Sequence, residues 1–354
     1  TIDARLPADA AIARTSETTI HRIAFRTYRE DGVAGVSSAR VYLPTKPRST
    51  PLPVIVVAHP TVGVADDCAP SKDEGSLSDL ALPFAARGFA VIAPDYAGLG
   101  TDGVQGYTAN RDTAHSVLDG ARALRAMLAP GALDSRVLLV GYSQGGGAVL
   151  ASQAIAGEYG AGGDVVGAIV FAPQFFSRMG SFGYDKLLRS PSSLTITTGV
   201  SKPVVAALRG YAAAHKILGP ASAGVVFPAA KRAGIEQAIG SMCQTPFGGY
   251  LQGVAPKVGD LFDEGYRTAM LACIDGASGC AGPASELFAW MTADMVAPDP
   301  KGAPILYVQG LADTIMPPNE EAACNLDRMK TLGVTVQGLV FGVGEHHRPD
   351  FAAS

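Results

Sequence analysis

Alternation of apolar and polar residues is the first regular pattern along the chain. It covers residues 19–29 and 36–43, and it predicts two half-exposed strands that pair as an antiparallel hairpin at the edge of a sheet. Residues 1–19 show little periodicity, so we expect them to form an irregular segment with at most a short helix.

Further along, the apolar runs become short, continuous and rich in β-branched residues, which is typical of strands buried on both faces of a parallel sheet. These runs cover residues 54–58, 89–93, 137–140 and 165–172. Helical periodicity is found between them, at residues 77–87 and 109–129. Strands that alternate with helices predict an α/β fold, in which a mainly parallel, doubly wound sheet binds its ligand at the carboxyl ends of the strands.

The pattern then changes, and a long interval without continuous apolar runs follows. Helical segments are expected there, at residues 202–217, 229–239, 261–274 and 283–296. Gly- and Pro-rich joints, such as residues 219–220 and 246–249, are expected to separate them. The α/β alternation returns with a strand, a helix and a strand, at residues 304–308, 320–332 and 334–341. We therefore expect an α/β core formed by residues 1–176 and 301–354, with residues 177–300 inserted as a helical cap, or lid.

Composition narrows the classes of protein to which the chain can belong. Apolar residues make up 47% and charged residues 17%, which favours a globular protein with a large core over a disordered one. The formal net charge of −4 gives no reason to expect nucleic acid as a partner. No apolar run approaches the length of a membrane span, so we expect no integral membrane segment. The chain begins at Thr1 rather than Met, which is compatible with the removal of a leader.

The five cysteines are compatible with two redox states. They show no metal-ligand spacing and no C-x-x-C motif. In a secreted protein they can form two disulfides and leave one thiol, whereas in a cytosolic protein all five can be small buried apolar residues. Composition alone leaves both states open.

A glycine-rich turn at residues 141–147 carries the strongest chemical signal. It has the sequence G-Y-S-Q-G-G-G, follows the apolar run 137–140 and precedes residues that predict a helix. A G-x-S-x-G motif between a strand and a helix indicates a nucleophile elbow, which places Ser143 on a very sharp turn. Gly141 and Gly145 remove Cβ atoms that would collide where strand and helix meet. An incidental serine in a glycine-rich turn is the alternative interpretation.

A serine nucleophile needs a base, and the base needs an acid that orients it. On this architecture the acid and then the base follow the serine along the chain. Asp313, one short loop after a predicted strand, is the candidate acid, with helix capping as its alternative role. The base is expected after the last strand, where His346 is the first choice because of the glycine two residues before it, and His347 is the second. Less suitable positions are occupied by the other histidines, His21, His59, His115 and His215.

The negatively charged oxygen of a tetrahedral intermediate needs preorganised hydrogen-bond donors. The first expected donor is the backbone N–H of Gln144, directly after the nucleophile. The second is expected in the loop after residues 54–58, where we choose the N–H of Thr61, with Val62 as the alternative. The Thr61 hydroxyl can add a side-chain donor. An ordinary strand-ending turn is the other interpretation of this loop, and Asp95 is expected to shape a structural loop.

These residues together resemble the α/β-hydrolase superfamily, over most of the chain outside residues 177–300, and within it the secretory lipase family. The resemblance is carried by G-Y-S-Q-G-G at residues 141–146, C-A-P-S at 68–71, the loop at 94–100 and D-G-x-R-A-L at 119–124. It implies an extracellular serine hydrolase acting on carboxylic esters, with a cap over an acyl-binding tunnel. It also implies a disulfide from Cys68 to a cap cysteine, for which we choose Cys243, and a short second disulfide between Cys273 and Cys280.

We therefore expect a carboxylesterase or lipase that forms an acyl-enzyme and uses the triad Ser143, Asp313 and His346. Its substrate would be a small-molecule ester or a lipid, and the reaction needs no metal or cofactor. The oligomeric state is left open.

Apolar residues of the predicted cap bear on the substrate. They favour a substrate with an apolar acyl group, unless they only pack the cap against itself. These residues are Val204, Val205, Leu208, Leu218, Val225, Val226 and Phe227.

Two other functions are compatible with parts of this pattern. An acyltransferase or a peptidase could use the same triad, and a peptidase would need an acidic anchor for a substrate amine. Cap acids such as Asp263 and Glu264 are better explained as a solvated helix start. A binding module with a hydrolase fold would be expected to lack a member of the triad.

Overall fold

The continuous apolar runs form parallel strands in the computed structural model, which describes residues 2–5, 18–46, 51–73, 78–177, 180–181, 184–189, 196, 201–318 and 322–341. The strands are β1 (Ile2–Arg5), β2 (Thr18–Tyr28), β3 (Ala34–Pro44), β4 (Leu52–Ala58), β5 (Ala90–Pro94), β6 (Leu133–Tyr142), β7 (Asp164–Phe171), β8 (Phe176–Ser177), β9 (Gly180–Ser181), β10 (Ile305–Gly310) and β11 (Val336–Phe341).

Helices follow most of the parallel strands and fill the interval between β9 and β10. They are α1 (Ser78–Ala86), α2 (Asn110–Met127), α3 (Gln144–Tyr159), α4 (Tyr184–Arg189), α5 (Lys202–Leu218), α6 (Arg232–Ser241), α7 (Gln244–Val254), α8 (Val258–Leu261), α9 (Glu264–Asp275), α10 (Gly282–Asp294) and α11 (Ala323–Thr331). Short 3₁₀ helices form at Asp66–Cys68, Pro70–Lys72 and Pro220–Val226.

The described strands form one nine-stranded sheet and one two-stranded ribbon, β8-β9. The order in the large sheet is β1-β2-β3-β5-β4-β6-β7-β10-β11. The six strands β5, β4, β6, β7, β10 and β11 run parallel to one another. The pairs β1-β2, β2-β3 and β3-β5 are antiparallel. The predicted α/β fold with a mainly parallel, doubly wound sheet is confirmed.

The strand order reverses beside β4, and this reversal positions the candidate site. The chain passes from β4 to β5 on one side, and it returns as β6 on the other side. In open α/β sheets, ligands bind beyond the carboxyl ends of the strands at such a reversal. Thr61 follows β4 and Ser143 follows β6, so both lie at this position.

Helices cover both faces of the sheet, because alternate residues of a strand point to opposite faces. In β4, Val54 and Val56 pack into an apolar core shared with α2 and α3. Ile55 and Val57 pack into a second core, which α1 covers. This two-sided burial explains why the parallel strands are apolar without alternation.

The first residues of the chain correct one expectation. Ile2–Arg5 form β1 rather than an irregular segment, and β1 pairs antiparallel with β2. The outer strand on this side of the sheet is therefore β1, and the predicted hairpin β2-β3 lies one strand further in. Four residues are too few for a visible period, whereas pairing satisfies N–H and C=O groups that the edge of β2 would otherwise leave open.

A second correction concerns residues 246–249, which were expected to form a joint between helices. They lie inside α7 (Gln244–Val254). Pro246 is the third residue of this helix, where a backbone N–H has no partner within the helix, so proline is tolerated there. Phe247 and Leu251, four residues apart, form the buried face that stabilises the helix.

The helices from α5 to α10 pack around an apolar core of their own. This core contains or contacts the apolar residues from which an acyl-binding surface was expected, Val204, Val205, Leu208, Leu218, Val225, Val226 and Phe227. These side chains therefore pack the helical segment against itself. Val64, Tyr107 and Met316 enter the same core from loops that flank the candidate site. The division into a core and a cap at residues 177–300 stays a prediction. Among the described helices, none is long and apolar enough to cross a membrane.

Two disulfides match the pairs that the family resemblance implies. Cys68 pairs with Cys243 and Cys273 pairs with Cys280, while Cys324 is exposed and forms no disulfide. The first bridge joins the loop after β4 to the start of α7. Two disulfides fit an oxidising, extracellular environment.

The two disulfides are expected to differ in their contribution to stability. Replacing Cys68 and Cys243 with serine should lower the free energy of unfolding by about 5 kcal/mol, because the bridge closes a separation of 175 residues. The matched variant, Cys273→Ser with Cys280→Ser, removes a bridge between cysteines only 7 residues apart. Its free energy of unfolding should fall by about 2 kcal/mol. Urea denaturation of the two variants measures the difference. Equal losses would contradict the chain-entropy account of the first bridge.

Candidate active site

Ser143 is held in a strained backbone conformation between β6 and α3. Its φ is 53° and its ψ is −115°, and the residue is 3% exposed. Positive φ is uncommon outside glycine and costs about 1–2 kcal/mol. Three backbone hydrogen bonds hold it: the Ser143 N–H donates to Phe171 O at 2.9 Å, and Ser143 O accepts from the N–H groups of Gly147 at 3.1 Å and Gln174 at 2.8 Å.

The two glycines of the motif allow the strand and the helix to meet. A Cβ atom at Gly141 would lie 2.2 Å from the carbonyl oxygen of Gly145. A Cβ atom at Gly145 would lie 2.0 Å from the carbonyl oxygen of Ala58, the last residue of β4. Both distances are far inside van der Waals contact, so any larger residue would force the backbone apart. The first turn of α3 therefore packs directly against the end of β4, where the candidate oxyanion loop begins.

Asp313 lies on the loop after β10 and is 3% exposed. One carboxylate oxygen, Oδ1, accepts from the N–H of Ile315 at 2.9 Å and from the N–H of Met316 at 2.8 Å. The other, Oδ2, accepts from Nε2 of Gln309 at 3.0 Å. These bonds fix the orientation of a buried carboxylate. Both N–H donors lie on the loop itself, so the bonds give Asp313 a loop-capping role, whereas the alternative interpretation was the capping of a helix.

The candidate bases, His346 and His347, lie outside the described residues. The last described strand, β11, runs parallel to β10 and ends at Phe341, which is paired with Gly310. The carboxyl ends of β10 and β11 therefore lie side by side, and the Asp313 loop begins at the first of them.

Thr61 lies on the loop after β4 and is 5% exposed. Its Oγ1 lies 2.8 Å from the hydroxyl oxygen of Tyr107. The next residue, Val62, accepts a hydrogen bond through its carbonyl oxygen from the N–H of Gln244 at 2.8 Å. Gln144, the other candidate donor, is the first residue of α3, where a backbone N–H has no partner within the helix.

His59, at the start of this loop, has a supporting position. Its Nδ1 lies 2.6 Å from Pro60 O, and its Nε2 lies 3.1 Å from Asp95 O. The hydroxyl of Tyr96 donates to His59 O at 3.0 Å. Complete burial lowers the pKa of His59 below its usual value. His59 thus ties the loop after β4 to the loop after β5.

Asp95 has the structural role that the sequence indicates. Its Oδ2 accepts from the Ser38 hydroxyl at 2.6 Å, and its Oδ1 accepts from the N–H of Ser71 at 2.8 Å. The carboxylate thereby joins β3, the loop after β5 and the 3₁₀ helix that follows Cys68.

Sequence reasoning missed two residues of this region, Tyr107 and Gln174. Tyr107 precedes α2 in a segment without a recognisable motif, and Gln174 follows β7. No local pattern distinguishes either residue, because their contacts join segments that are far apart in the chain. Within the described part of the chain, no group of three or more His, Cys, Asp or Glu side chains is arranged to hold a metal ion.

The fold and the elbow define the class of protein. The chain is an α/β-hydrolase by fold, with TM-scores of 0.68 to the cell wall degrading esterase LipA of Xanthomonas oryzae and 0.65 to lipase A of Candida antarctica. The sequence identity is 20% to the Xanthomonas esterase and 19% to the Candida lipase. Both comparisons cover 93% of this chain, and they cover 84% of the esterase and 73% of the lipase.

The more particular similarity is found in the sequence. Residues 78–175 match the family model described as secretory lipase, which confirms the resemblance stated above over this interval. No curated protein matches the chain significantly.

Proposed function

We propose that the protein hydrolyses carboxylic esters through an acyl-enzyme formed on Ser143. The match to secretory lipases supports ester hydrolysis as the class of reaction. The observation that carries the proposal is the strained backbone of Ser143, at the start of a helix and at the strand-order reversal. Strain of this kind persists where the surrounding structure enforces it, and it is concentrated at active sites.

In the proposed reaction, the Ser143 hydroxyl attacks the ester carbonyl while His346 accepts its proton. His346 then gives this proton to the leaving alkoxide as the ester C–O bond breaks, and the acyl group stays on Ser143. Water attacks the acyl-enzyme with His346 again as the base, which releases the carboxylic acid and the free serine. Asp313 orients the imidazole and stabilises the imidazolium. The backbone N–H groups of Gln144 and Thr61 donate to the oxyanion.

The proposal includes the surroundings of the site. Residues 177–300 form a cap over the serine, and the Cys68–Cys243 bridge fixes one point of that cap to the oxyanion loop. The protein acts outside the cell on small-molecule esters or lipids, which the two disulfides and the secretory lipase match support.

The Asp313→Asn variant tests the function and the acid together. On p-nitrophenyl esters from acetyl to palmitoyl, we expect wild type to be active and kcat of the variant to fall about 10⁴-fold. The physical reason is that a neutral amide neither stabilises an imidazolium nor holds the required tautomer. The amide also places a donor where Oδ2 now accepts from Gln309, so circular dichroism should record the folded fraction of each sample.

The matched control is Asp299→Asn. Asp299 also accepts a loop N–H, from Lys301 at 2.9 Å, and this variant should keep wild-type kcat. Full activity in folded Asp313→Asn would leave Asp313 with its loop-capping role alone. Faster cleavage of matched p-nitroanilides than of esters would favour the peptidase alternative. Preferential transfer of the acyl group to an added alcohol would favour the acyltransferase alternative.

A further inference from the structure

Tyr107 has a buried hydroxyl beside the candidate oxyanion loop. The residue is 1% exposed, and its hydroxyl oxygen lies 2.8 Å from Oγ1 of Thr61. Burial raises the pKa of Tyr107 to about 12, so the phenol keeps its proton at neutral pH. A buried tyrosine hydroxyl normally has a hydrogen-bond partner, and here the partner is the residue to which we assign an oxyanion donor.

Gln174 lies between Tyr107 and the nucleophile elbow. The side chain of Gln174 lies close to the Tyr107 hydroxyl, but its Nε2 has no hydrogen-bond partner among the described residues. The backbone N–H of the same residue donates to Ser143 O at 2.8 Å. The hydrogen bonds of this region therefore join Thr61 to Tyr107 and Gln174 to Ser143, and the side chain of Gln174 brings the two pairs close together.

The segment that carries Tyr107 is fixed on its other side by the helices after β9. Arg209 of α5 donates through Nη1 to Thr108 O at 2.9 Å and to Thr108 Oγ1 at 2.6 Å. Asp294 of α10 accepts from the N–H groups of Asn110 at 2.7 Å and Arg111 at 3.1 Å. Both anchors are buried. The position of the Tyr107 ring is thus determined independently of Thr61.

We propose that Tyr107 is a positioning residue of the oxyanion hole. Its hydroxyl holds Thr61 at a fixed position relative to Ser143. The inference rests on the proposed function. An oxyanion donor must lie about 2.7–3.1 Å from the developing charge, and Thr61 lies on a loop, where small displacements are easy without support. Tyr107 supplies that support because its hydroxyl contacts Thr61, while Arg209 and Asp294 anchor the segment that carries its ring.

The test compares Tyr107→Phe with wild type on a short p-nitrophenyl ester. The ring remains and only the hydroxyl is lost, so we expect kcat to fall about 10-fold or more while KM changes by less than about twofold. Affinity for a trifluoromethyl ketone, which mimics the tetrahedral intermediate, should weaken by the same factor as kcat/KM. Tyr159→Phe is the matched control. It removes a hydroxyl at the far end of α3 that donates to Asp119 at 2.6 Å. This variant should leave kcat and the affinity for the inhibitor unchanged.

Thr61 variants test the same contact from the other side and do not depend on the folding of Tyr107→Phe. Thr61→Val should lose a similar factor in kcat, and Thr61→Ser, which keeps the hydroxyl, should recover most of the kcat that Thr61→Val loses. Adding Tyr107→Phe to Thr61→Val should cause no further loss, because residues that act through one contact are not additive.

The outcomes separate this inference from the proposed function. Wild-type kcat and inhibitor affinity in Tyr107→Phe, or losses that multiply in the double variant, would overturn the positioning role and leave the proposed function intact. A wild-type protein that hydrolyses no ester and is not modified at Ser143 by a fluorophosphonate would overturn both.

Discussion

The Ser143→Ala variant is expected to lose ester hydrolysis almost completely, with kcat about 10⁴ to 10⁶-fold below wild type. In the proposed mechanism the Ser143 hydroxyl forms the covalent intermediate, and alanine removes it. The remaining activity would come from the oxyanion donors and substrate binding alone, which still exceed the reaction in water. Alanine also has a Cβ atom, so it imposes the same positive-φ strain at residue 143 and should leave the elbow in place. Initial rates on p-nitrophenyl butyrate measure the loss.

Ser152→Ala is the matched control for this variant. Ser152 is a buried serine on α3, and its hydroxyl donates to Ala148 O at 2.7 Å. Its loss should change stability slightly and leave kcat within about twofold of wild type. Activity that survives in folded Ser143→Ala would contradict the assignment of the nucleophile.

The second large effect is expected from the histidines after β11. His346→Ala should lower kcat about 10⁵ to 10⁶-fold, because the serine then has no base and the leaving alkoxide has no acid. His347→Ala should retain most of the activity. A base after β11 is expected because β11 runs parallel to β10, so both strands end on the side of the sheet where the Asp313 loop begins. His346 is preferred to His347 because of the glycine two residues before it. Steady-state rates across the neutral pH range measure both variants.

His215→Ala is the control for a general effect of losing an imidazole. His215 lies half-buried on α5 and should be replaceable without loss of kcat. A large loss in His347→Ala with an active His346→Ala would exchange the two roles. Full activity in both variants would contradict a base in this segment.

The sequence predicted well those features that depend on local sterics. The elbow could be recognised because Gly141 and Gly145 are required by contacts of 2.2 and 2.0 Å that a Cβ atom would make. The buried strands could be recognised because two-sided burial excludes polar residues from positions such as 54–57. The disulfide pairs followed from the family resemblance and not from the spacing of the cysteines.

Features that depend on distant partners could not be predicted. Ile2–Arg5 form a strand only because the edge of β2 is available for pairing. Pro246 and Gly248 suggested a joint, whereas burial of Phe247 and Leu251 against the helical segment stabilises α7. Tyr107 is significant only through its contact with Thr61, 46 residues earlier in the chain. The apolar residues of that helical segment could not be assigned to substrate or to packing before their shared core was known.

The central claim is that Ser143 is the nucleophile, and covalent labelling tests it most directly. The folded protein would be treated with a fluorophosphonate, digested and analysed by tandem mass spectrometry. We predict a single adduct on Ser143, which lies at the strained turn between β6 and α3. An adduct on another residue, or an unmodified Ser143 in protein that circular dichroism shows to be folded, would contradict the account.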